Sequence, residues 1–311
     1  MITSFFNKSR PLYFAIVFFI TLLAYFFARI GDLNNELTSS YFLKQIILLC
    51  VILGSILLLN FIVNKNNLTH THNYEILLFS LFMLFITQTT SYSNVLVSNF
   101  FILLSVRRLI SLRVSKNTKK KLFDAAFWIT IASVFYFWSI LFFALIILSL
   151  ALYTDKNLRH WIIPFLGVLT VFIISSGASV IIYNDFFEIF NFNLEMSYDF
   201  SSYNSTVYLI AITVLLSFGI WSSIFYLNNL KKKKRVFRAS FITVLLAALI
   251  GFLIVIQAPK KNGSEFLFLF APLAIIIANY IESIQEKWFK ESFLGILILI
   301  PFILLLLQTF T

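Results

Sequence analysis

The chain alternates long apolar runs with short polar segments over its whole length. Several runs reach roughly 18 residues or more, close to the ~20 that an α-helix needs to cross a bilayer. The pattern predicts an all-α polytopic membrane helix bundle with about ten apolar segments. These run over about 11–28, 41–63, 74–90, 95–112, 124–153, 161–183, 205–227, 239–257, 265–283 and 293–310. No soluble domain or linker separates them, so we expect residues 1–311 to form a single integral membrane domain.

The apolar run 123–153 decides the topology. Both of its flanks carry Lys and Arg, and such an excess is typical of cytoplasmic flanks. A single crossing would place one basic flank outside and would invert the charge pattern of the rest of the chain. We therefore predict a hairpin of two short helices, 124–136 and 138–153, that turns near Phe137.

Charge gives the predicted orientation. The chain is 60% hydrophobic and has a net charge of +11. With the hairpin, all but four of the 24 Lys and Arg lie on one side, so the basic charge marks the cytoplasmic side and does not indicate nucleic acid. We expect a multi-pass protein of the cell inner membrane with a cytoplasmic N-terminus. The acidic loop 184–204 would lie outside, and Lys231–Arg235 would lie inside, serving orientation and anionic-lipid contact.

The sequence gives little support for metal or cofactor chemistry. Its three histidines, His70, His72 and His160, fall in predicted cytoplasmic loops, whereas an intramembrane metal centre needs them on facing helices. We expect no metal and no cofactor, and a solvated loop around His70 and His72. No predicted span carries an ionisable residue near its middle, which argues against an ion-coupled transporter.

Four cations depart from the charge pattern, namely Arg29, Lys44, Lys260 and Lys261. In one interpretation these side chains extend from helix ends or lie solvated in a loop. In the other, they gather with the nearby acids around an anionic group at the outer interface, where lysines hold a phosphate and a carboxylate acts as general base.

A resemblance bears on the second interpretation. The segment APKKNGSEFLFLFAPLAIIIANYIES, residues 258–283, resembles the late motif of the GT-C membrane glycosyltransferases, in which a lysine-bearing outer loop leads into a helix with an early proline. Lys260 or Lys261, Pro272 and Ala274 fit that pattern, and Asp32 occupies the place of the catalytic carboxylate. The paired short helices at 124–153 also look like that fold.

The resemblance implies a glycosyl or envelope-lipid transferase at the outer, periplasmic face with a polyprenyl-phosphate-linked donor. Asp32 and Glu36 would be its catalytic residues, and Arg29, Lys260 and Lys261 would bind the substrate. The chain also resembles uncharacterised bacterial inner-membrane families, which implies no chemistry. The alternative function is a non-enzymatic scaffold or subunit of an inner-membrane complex, with protein partners. A scaffold should tolerate loss of each outer acid, whereas an enzyme needs at least one of them.

Overall fold

The computed structural model describes residues 11–30, 39–70, 72–153, 157–192 and 194–310. Within these ranges the chain is helical and has no strand. The α-helices are α1 Pro11–Phe27, α2 Ser39–Asn66, α3 Tyr74–Phe85, α4 Ser93–Ile110, α5 Thr118–Phe135, α6 Phe143–Leu152, α7 Leu158–Tyr183, α8 Thr206–Leu230, α9 Arg235–Gln257, α10 Leu267–Ser283 and α11 Lys287–Phe310. The predicted all-α class is confirmed.

Seven helical stretches of the described chain are long and apolar enough to cross a membrane. They are Ser39–Asn66, Ser93–Arg113, Leu158–Tyr183, Thr206–Leu230, Phe237–Gln257, Ser264–Ser283 and Lys287–Gln308. The protein is therefore a multi-pass membrane protein. Three further apolar helices of the described residues are shorter, namely α1, α3 and the second arm of the hairpin at Phe137–Leu152.

The predicted segment 74–90 is divided because α3 ends at Phe85. Residues Thr87–Thr90 follow as a 3-10 turn, in which the Thr89 hydroxyl donates to the Ile86 carbonyl at 2.7 Å and the Thr90 hydroxyl to the Thr87 carbonyl at 2.9 Å. Threonine hydroxyls that bond to nearby backbone in this way compete with a continuous helix. The apolar pattern did not show this competition.

The predicted hairpin over 124–153 is present. The chain breaks at Tyr136, whose backbone is extended, and continues through a 3-10 turn at Phe137–Phe142 into α6. At the start of α5, the Lys121 ammonium donates to the Ser111 carbonyl at 2.6 Å. After α6, the Tyr153 hydroxyl donates to the neighbouring Ile110 carbonyl at 3.4 Å. The first arm therefore begins, and the second arm ends, beside the 3-10 turn at Ser111–Arg113.

Polar segments collect at two opposite ends of the bundle. We call the described residues of 64–73, 107–121, 231–241 and 279–291 the basic end, because contacts link them: Arg113 donates to the Asn66 carbonyl at 3.0 Å, and the His70 amide donates to Glu282 at 2.7 Å. The described residues of 28–45, 86–93, 190–208 and 258–266 form the opposite end. There the Tyr208 hydroxyl donates to the Asn262 carbonyl at 3.0 Å. This grouping is the one that the charge pattern predicts.

Helices α3 and α10 form the centre of the bundle. Every residue of α3 is buried. In Ser264–Ser283, which contains α10, 94% of the 18-residue apolar stretch is buried. The two helices pack together, with the rings of Phe82 and Phe270 centred 5.6 Å apart. A helix enclosed on all sides must be apolar all round, and both sequences have that character. Helix α7 is peripheral, since only 17% of its 18-residue apolar stretch is buried.

Candidate functional site

Arg29, predicted to bind substrate, is buried at the opposite end, just after α1. Its guanidinium donates to the Gln45 side chain at 2.6 Å and to the Thr90 carbonyl at 2.6 Å. The guanidinium also lies 3.5 Å from the centre of the Tyr25 ring, within cation–π distance. Arg29 thus ties α1 to α2 and to the 3-10 turn at 87–90.

Lys261 is also buried, and its ammonium is bound by the protein. It donates to the carbonyls of Val255 at 2.8 Å and Ile256 at 2.5 Å, in the last turn of α9. A lysine in this position satisfies carbonyls that have no partner within the helix and interacts favourably with the helix dipole. Burial lowers the pKa of Lys261. The neighbouring Lys260 is exposed.

The predicted catalytic residues Asp32 and Glu36 lie outside the described residues. A different acid is prominent at this end. Glu265 is 1% exposed, and its Oε1 accepts hydrogen bonds from the Tyr203 hydroxyl and, at 3.3 Å, from the Gly263 amide. Its Oε2 has no hydrogen-bond partner among the described residues. The structure therefore shows a buried carboxyl here that the sequence argument did not single out.

The basic end contains an acid–base cluster formed by the buried His72 and Glu75 and the partly buried Glu282. His72 is 3% exposed, its Nε2 forms an ion pair with Glu282, and its Nδ1 lies 3.6 Å from Glu75 Oε2. The expectation of a solvated loop is wrong for His72. His72 is enclosed because its neighbours Leu68, Asn73 and Tyr74, before and at the start of α3, are also buried.

The charge of His72 follows from its two acidic neighbours. Burial by itself lowers the pKa of His72, but the interactions with the carboxylates of Glu282 and Glu75 outweigh that effect and raise the pKa to about 9. The imidazole is therefore protonated at neutral pH. Glu75 is fully buried, and neither of its side-chain oxygens has a hydrogen-bond partner among the described residues. The side chain of Asn73 is also buried, and neither its nitrogen nor its oxygen has a hydrogen-bond partner among the described residues.

Two adjoining cavities open beside this cluster, with volumes of about 630 and 340 Å³. The first is lined by Asn64, Asn67, Thr69, His70, Lys232, Lys233, Lys234, Phe237 and Phe241. The second is lined by His70, Tyr226, Asn229, Leu230, Lys232, Lys233, Phe241, Asn279, Glu282 and Ser283. Because they share His70, Lys232, Lys233 and Phe241, we treat them as one surface, the basic cleft. Glu282 joins the basic cleft to the acid–base cluster.

The loop that carries the lysines of the basic cleft is held by Arg238. Its guanidinium donates to the carbonyl of Lys233 at 3.0 Å and to the carbonyl of Lys231 at 2.8 Å. Lys232 and Lys234 are exposed. No salt bridge of the described chain involves either of them. Their backbone is therefore fixed while their charges remain available to a ligand.

A second basic cavity at this end, of about 370 Å³, contains cations that are bound by protein groups. Arg108, in its wall, forms a salt bridge with Asp124 at 2.9 Å. Arg107 lies 4.5 Å from the centre of the Phe61 ring, and Lys121 donates to two backbone carbonyls. These three cations are bound by the protein itself, whereas Lys116 and Lys120 of the same cavity are exposed and form no salt bridge in the described chain. We take the basic cleft as the candidate for an anionic ligand because it is larger and combines lysine ammoniums with side-chain amides and hydroxyls as donors.

One protein family matches nearly the whole chain. Residues 2–310 match the model of DUF6427, a family of unknown function. The chain belongs to this family. No curated protein and no solved structure matches the chain. The family match carries no link to GT-C glycosyltransferases, so the function implied by that resemblance stays a prediction.

Proposed function

We propose that this DUF6427 protein binds a phosphate-bearing anionic ligand in the basic cleft. The observation that carries the proposal is that Lys232 and Lys234 line an open cavity and form no salt bridge within the described chain. Several other cations are already bound by protein groups, namely Arg107, Arg108, Arg113, Lys121 and Arg238 at this end and Arg29 and Lys261 at the opposite end. A lysine acts on phosphate as a point charge with three rotatable donors, which suits an open cleft.

The charge of the basic cleft supports an anion. Lys232, Lys233 and Lys234 contribute three positive charges, and the carboxylate of Glu282 is compensated by the protonated His72. Lys233 also lies 5.0 Å from the centre of the Phe241 ring, so its stem is held against an apolar wall. The amides of Asn67 and Asn229 and the hydroxyl of Thr69 line the same surface. These groups can donate to the oxygens that the lysines do not reach.

The proposal includes the side of the membrane on which the basic cleft lies. From the Lys and Arg excess we infer that the basic end faces the cytoplasm and that the membrane is the inner membrane. A phosphate reaches this position from two sources, an anionic lipid headgroup or a soluble phosphate compound. The chemistry of recognition is the same for both.

The experiment compares two double variants of the purified protein in nanodiscs. Lys232→Gln with Lys234→Gln removes two charges from the cleft. Lys119→Gln with Lys287→Gln removes two exposed charges from the same end but outside the cleft. Because each cleft lysine would lose a charged hydrogen bond to the phosphate, worth about 1.5 kcal/mol, the cleft variant should bind roughly a hundred-fold more weakly. The control variant should bind like the unmodified protein.

Two probes distinguish the sources. Phosphatidylglycerol in otherwise zwitterionic nanodiscs tests the lipid headgroup, and pyrophosphate in solution tests the soluble compound. Retention of either probe by the unmodified protein and its loss in the cleft variant supports the proposal for that source. Equal weakening in both double variants would show a general charge effect and would contradict a specific site.

The transferase hypothesis at the opposite end stays a prediction, as does the scaffold or subunit role. Arg29 and Lys261 donate to groups of the protein there. Loss of activity in Asp32→Asn, with normal protein levels, remains the direct test of an enzyme at that face, because the amide keeps the shape of the side chain but cannot accept a proton.

A further inference from the structure

The loop between α7 and α8 contains a segment with strand-like alternation. Residues 194–200 read Leu-Glu-Met-Ser-Tyr-Asp-Phe, so apolar and polar side chains occupy alternate positions. The four apolar side chains are 45–65% exposed. Period-two alternation is typical of a strand that has one apolar and one polar face. No strand occurs among the described residues, so no strand of the described chain pairs with this segment.

The central backbone groups of the segment are available for pairing, whereas the Asp199 amide donates to the Ser197 hydroxyl at 3.3 Å. Residues 194–200 have no helix, turn or bend. The amides and carbonyls of Met196, Ser197 and Tyr198 form no backbone–backbone hydrogen bond within the described chain. The Tyr198 hydroxyl lies 3.8 Å from the Met196 sulfur, so these two side chains share a face, as residues i and i+2 of a strand do.

Both ends of the segment are anchored. On one side the ring of Phe190 stacks on Phe172 of α7, with centroids 5.2 Å apart. On the other side Tyr203 is buried and bonded to Glu265. An exposed stretch with fixed ends loses less conformational entropy when it binds than a loose loop does. Like the edge strand of a sheet, the segment presents amides and carbonyls without backbone partners in the described chain, which are a template for pairing with another chain.

We propose that residues 194–200 dock a β-strand of a partner protein whose polar face carries Lys or Arg. The main-chain groups would supply the affinity and the alternate side chains the specificity, as in other cases of strand addition. The charge identifies the partner: the loop contains four acids, Asp185, Glu188, Glu195 and Asp199, and no Lys or Arg occurs from Trp161 to Leu230.

Charge also argues against a second copy of this chain as the partner. In a full antiparallel self-pairing centred on Ser197, Glu195 lies directly opposite Asp199. Like charges in opposite positions destabilise a strand pair. An anionic bilayer surface is disfavoured for the same electrostatic reason. A basic strand removes the repulsion and keeps the apolar face covered.

The test uses the full chain in nanodiscs and a peptide of alternating Lys and Val that matches the segment in length. Its control is a peptide of the same composition with the lysines placed consecutively. We expect the alternating peptide to bind more tightly and to show the isotope-edited infrared band of paired β-strands when its carbonyls are labelled. Failure of the alternating peptide to bind, or equal binding of both peptides, would overturn the proposal.

A matched pair of variants isolates the backbone. Ser197→Ala and Ser197→Pro both lack the hydroxyl, but only the proline removes the amide donor. We expect the proline variant to bind the peptide about ten-fold more weakly than the alanine variant. Both should unfold like the unmodified protein because the position is outside every helix. Equal binding by the two variants would show that no strand is formed.

Two further measurements address the other occupants. Quenching of a Tyr198→Trp variant by brominated lipids would place the segment in the bilayer, and a Ser197→Cys disulfide between two copies would show self-pairing. Either result overturns the proposal. Absence of both, together with peptide binding, supports it.

Discussion

His72 holds a positive charge in the interior of the basic end, between Glu75 and Glu282. Such a charge is stable only while both acids stay in place, because an isolated buried charge is strongly disfavoured. The ion pair therefore couples the start of α3 to the end of α10. It also makes the stability of the protein dependent on pH.

The direction of that dependence follows from the raised pKa. The folded pKa of His72 is about 9 against an ordinary value of 6.5, so the stabilisation is fully present below pH ~6.5 and is lost as the pH rises through ~9. We expect a loss on the order of 3 kcal/mol across this window. His72→Asn should flatten the curve, measured by denaturant unfolding in detergent. His160→Asn, outside the cluster, should keep it, and an unchanged slope in His72→Asn would contradict this assignment.

Lys261 offers a second prediction at this scale. Lys261→Met keeps the apolar stem but removes the donor to Val255 and Ile256, so it should lower the free energy of unfolding by about 1 to 2 kcal/mol. Lys260→Met, at an exposed position, should change it little. Thermal unfolding in detergent measures both. Normal stability together with loss of polyprenyl-phosphate binding in Lys261→Met would instead support the substrate-binding role predicted from sequence.

Residue-level features were the hardest to predict from sequence. The polar neighbours of His72 in the sequence predict a solvated loop, whereas its ion-pair partner Glu282 is far away in the chain. Lys261 looked available for the same reason, since nothing in the sequence shows that its ammonium reaches the last turn of α9. Contacts between distant residues decided both cases.

Among the elements, α9 and α10 approach each other closely at Gly251. A Cβ atom at this position would lie 2.8 Å from the Phe268 carbonyl oxygen and 3.0 Å from Leu269 backbone atoms. Backbone cannot yield as a flexible side chain can, so the helices would have to separate. Small residues permit this kind of close approach between membrane helices.

We therefore expect Gly251→Ala to lower the free energy of unfolding by about 1 to 3 kcal/mol. The matched control is Gly177→Ala in α7, where a Cβ would meet nothing within 4 Å. Alanine should stabilise that helix by up to about 1 kcal/mol, the difference in helix propensity. Unfolding in mild detergent, followed by circular dichroism, measures both. Equal effects would show that packing between α9 and α10 does not restrict this position.

The elements themselves were more predictable. The hairpin turn near Phe137 followed from charge alone, because both flanks of the run are basic. The length of α3 was not predictable from hydropathy, since threonines 87, 89 and 90 count as neutral in such a pattern but bond locally to the backbone. The seven long helices are the part of the fold that composition specifies best.

On the scale of the whole molecule, the two ends differ in charge as the sequence predicted. The prediction is that Ser197 faces outward and Lys232 inward. In a Cys50→Ser background, Ser197→Cys should react with a membrane-impermeant maleimide in intact cells, whereas Lys232→Cys should react only after the membrane is opened. Labelling of Lys232→Cys alone in intact cells would reverse the orientation, and labelling of both would contradict the grouping of the loops.

The enclosure of α3 by α10 has a consequence for biosynthesis. Helix α3 leaves the ribosome long before α10, and at about 5–20 residues per second the interval from Phe85 to Leu267 lasts roughly 10 to 40 seconds. During that time His72 and Glu75 have no Glu282 beside them, and a short helix that is apolar on all sides has no central neighbour. Nascent chains stalled before residue 267 should therefore keep α3 in contact with the insertion machinery, which would act as a temporary substitute for the helix not yet made.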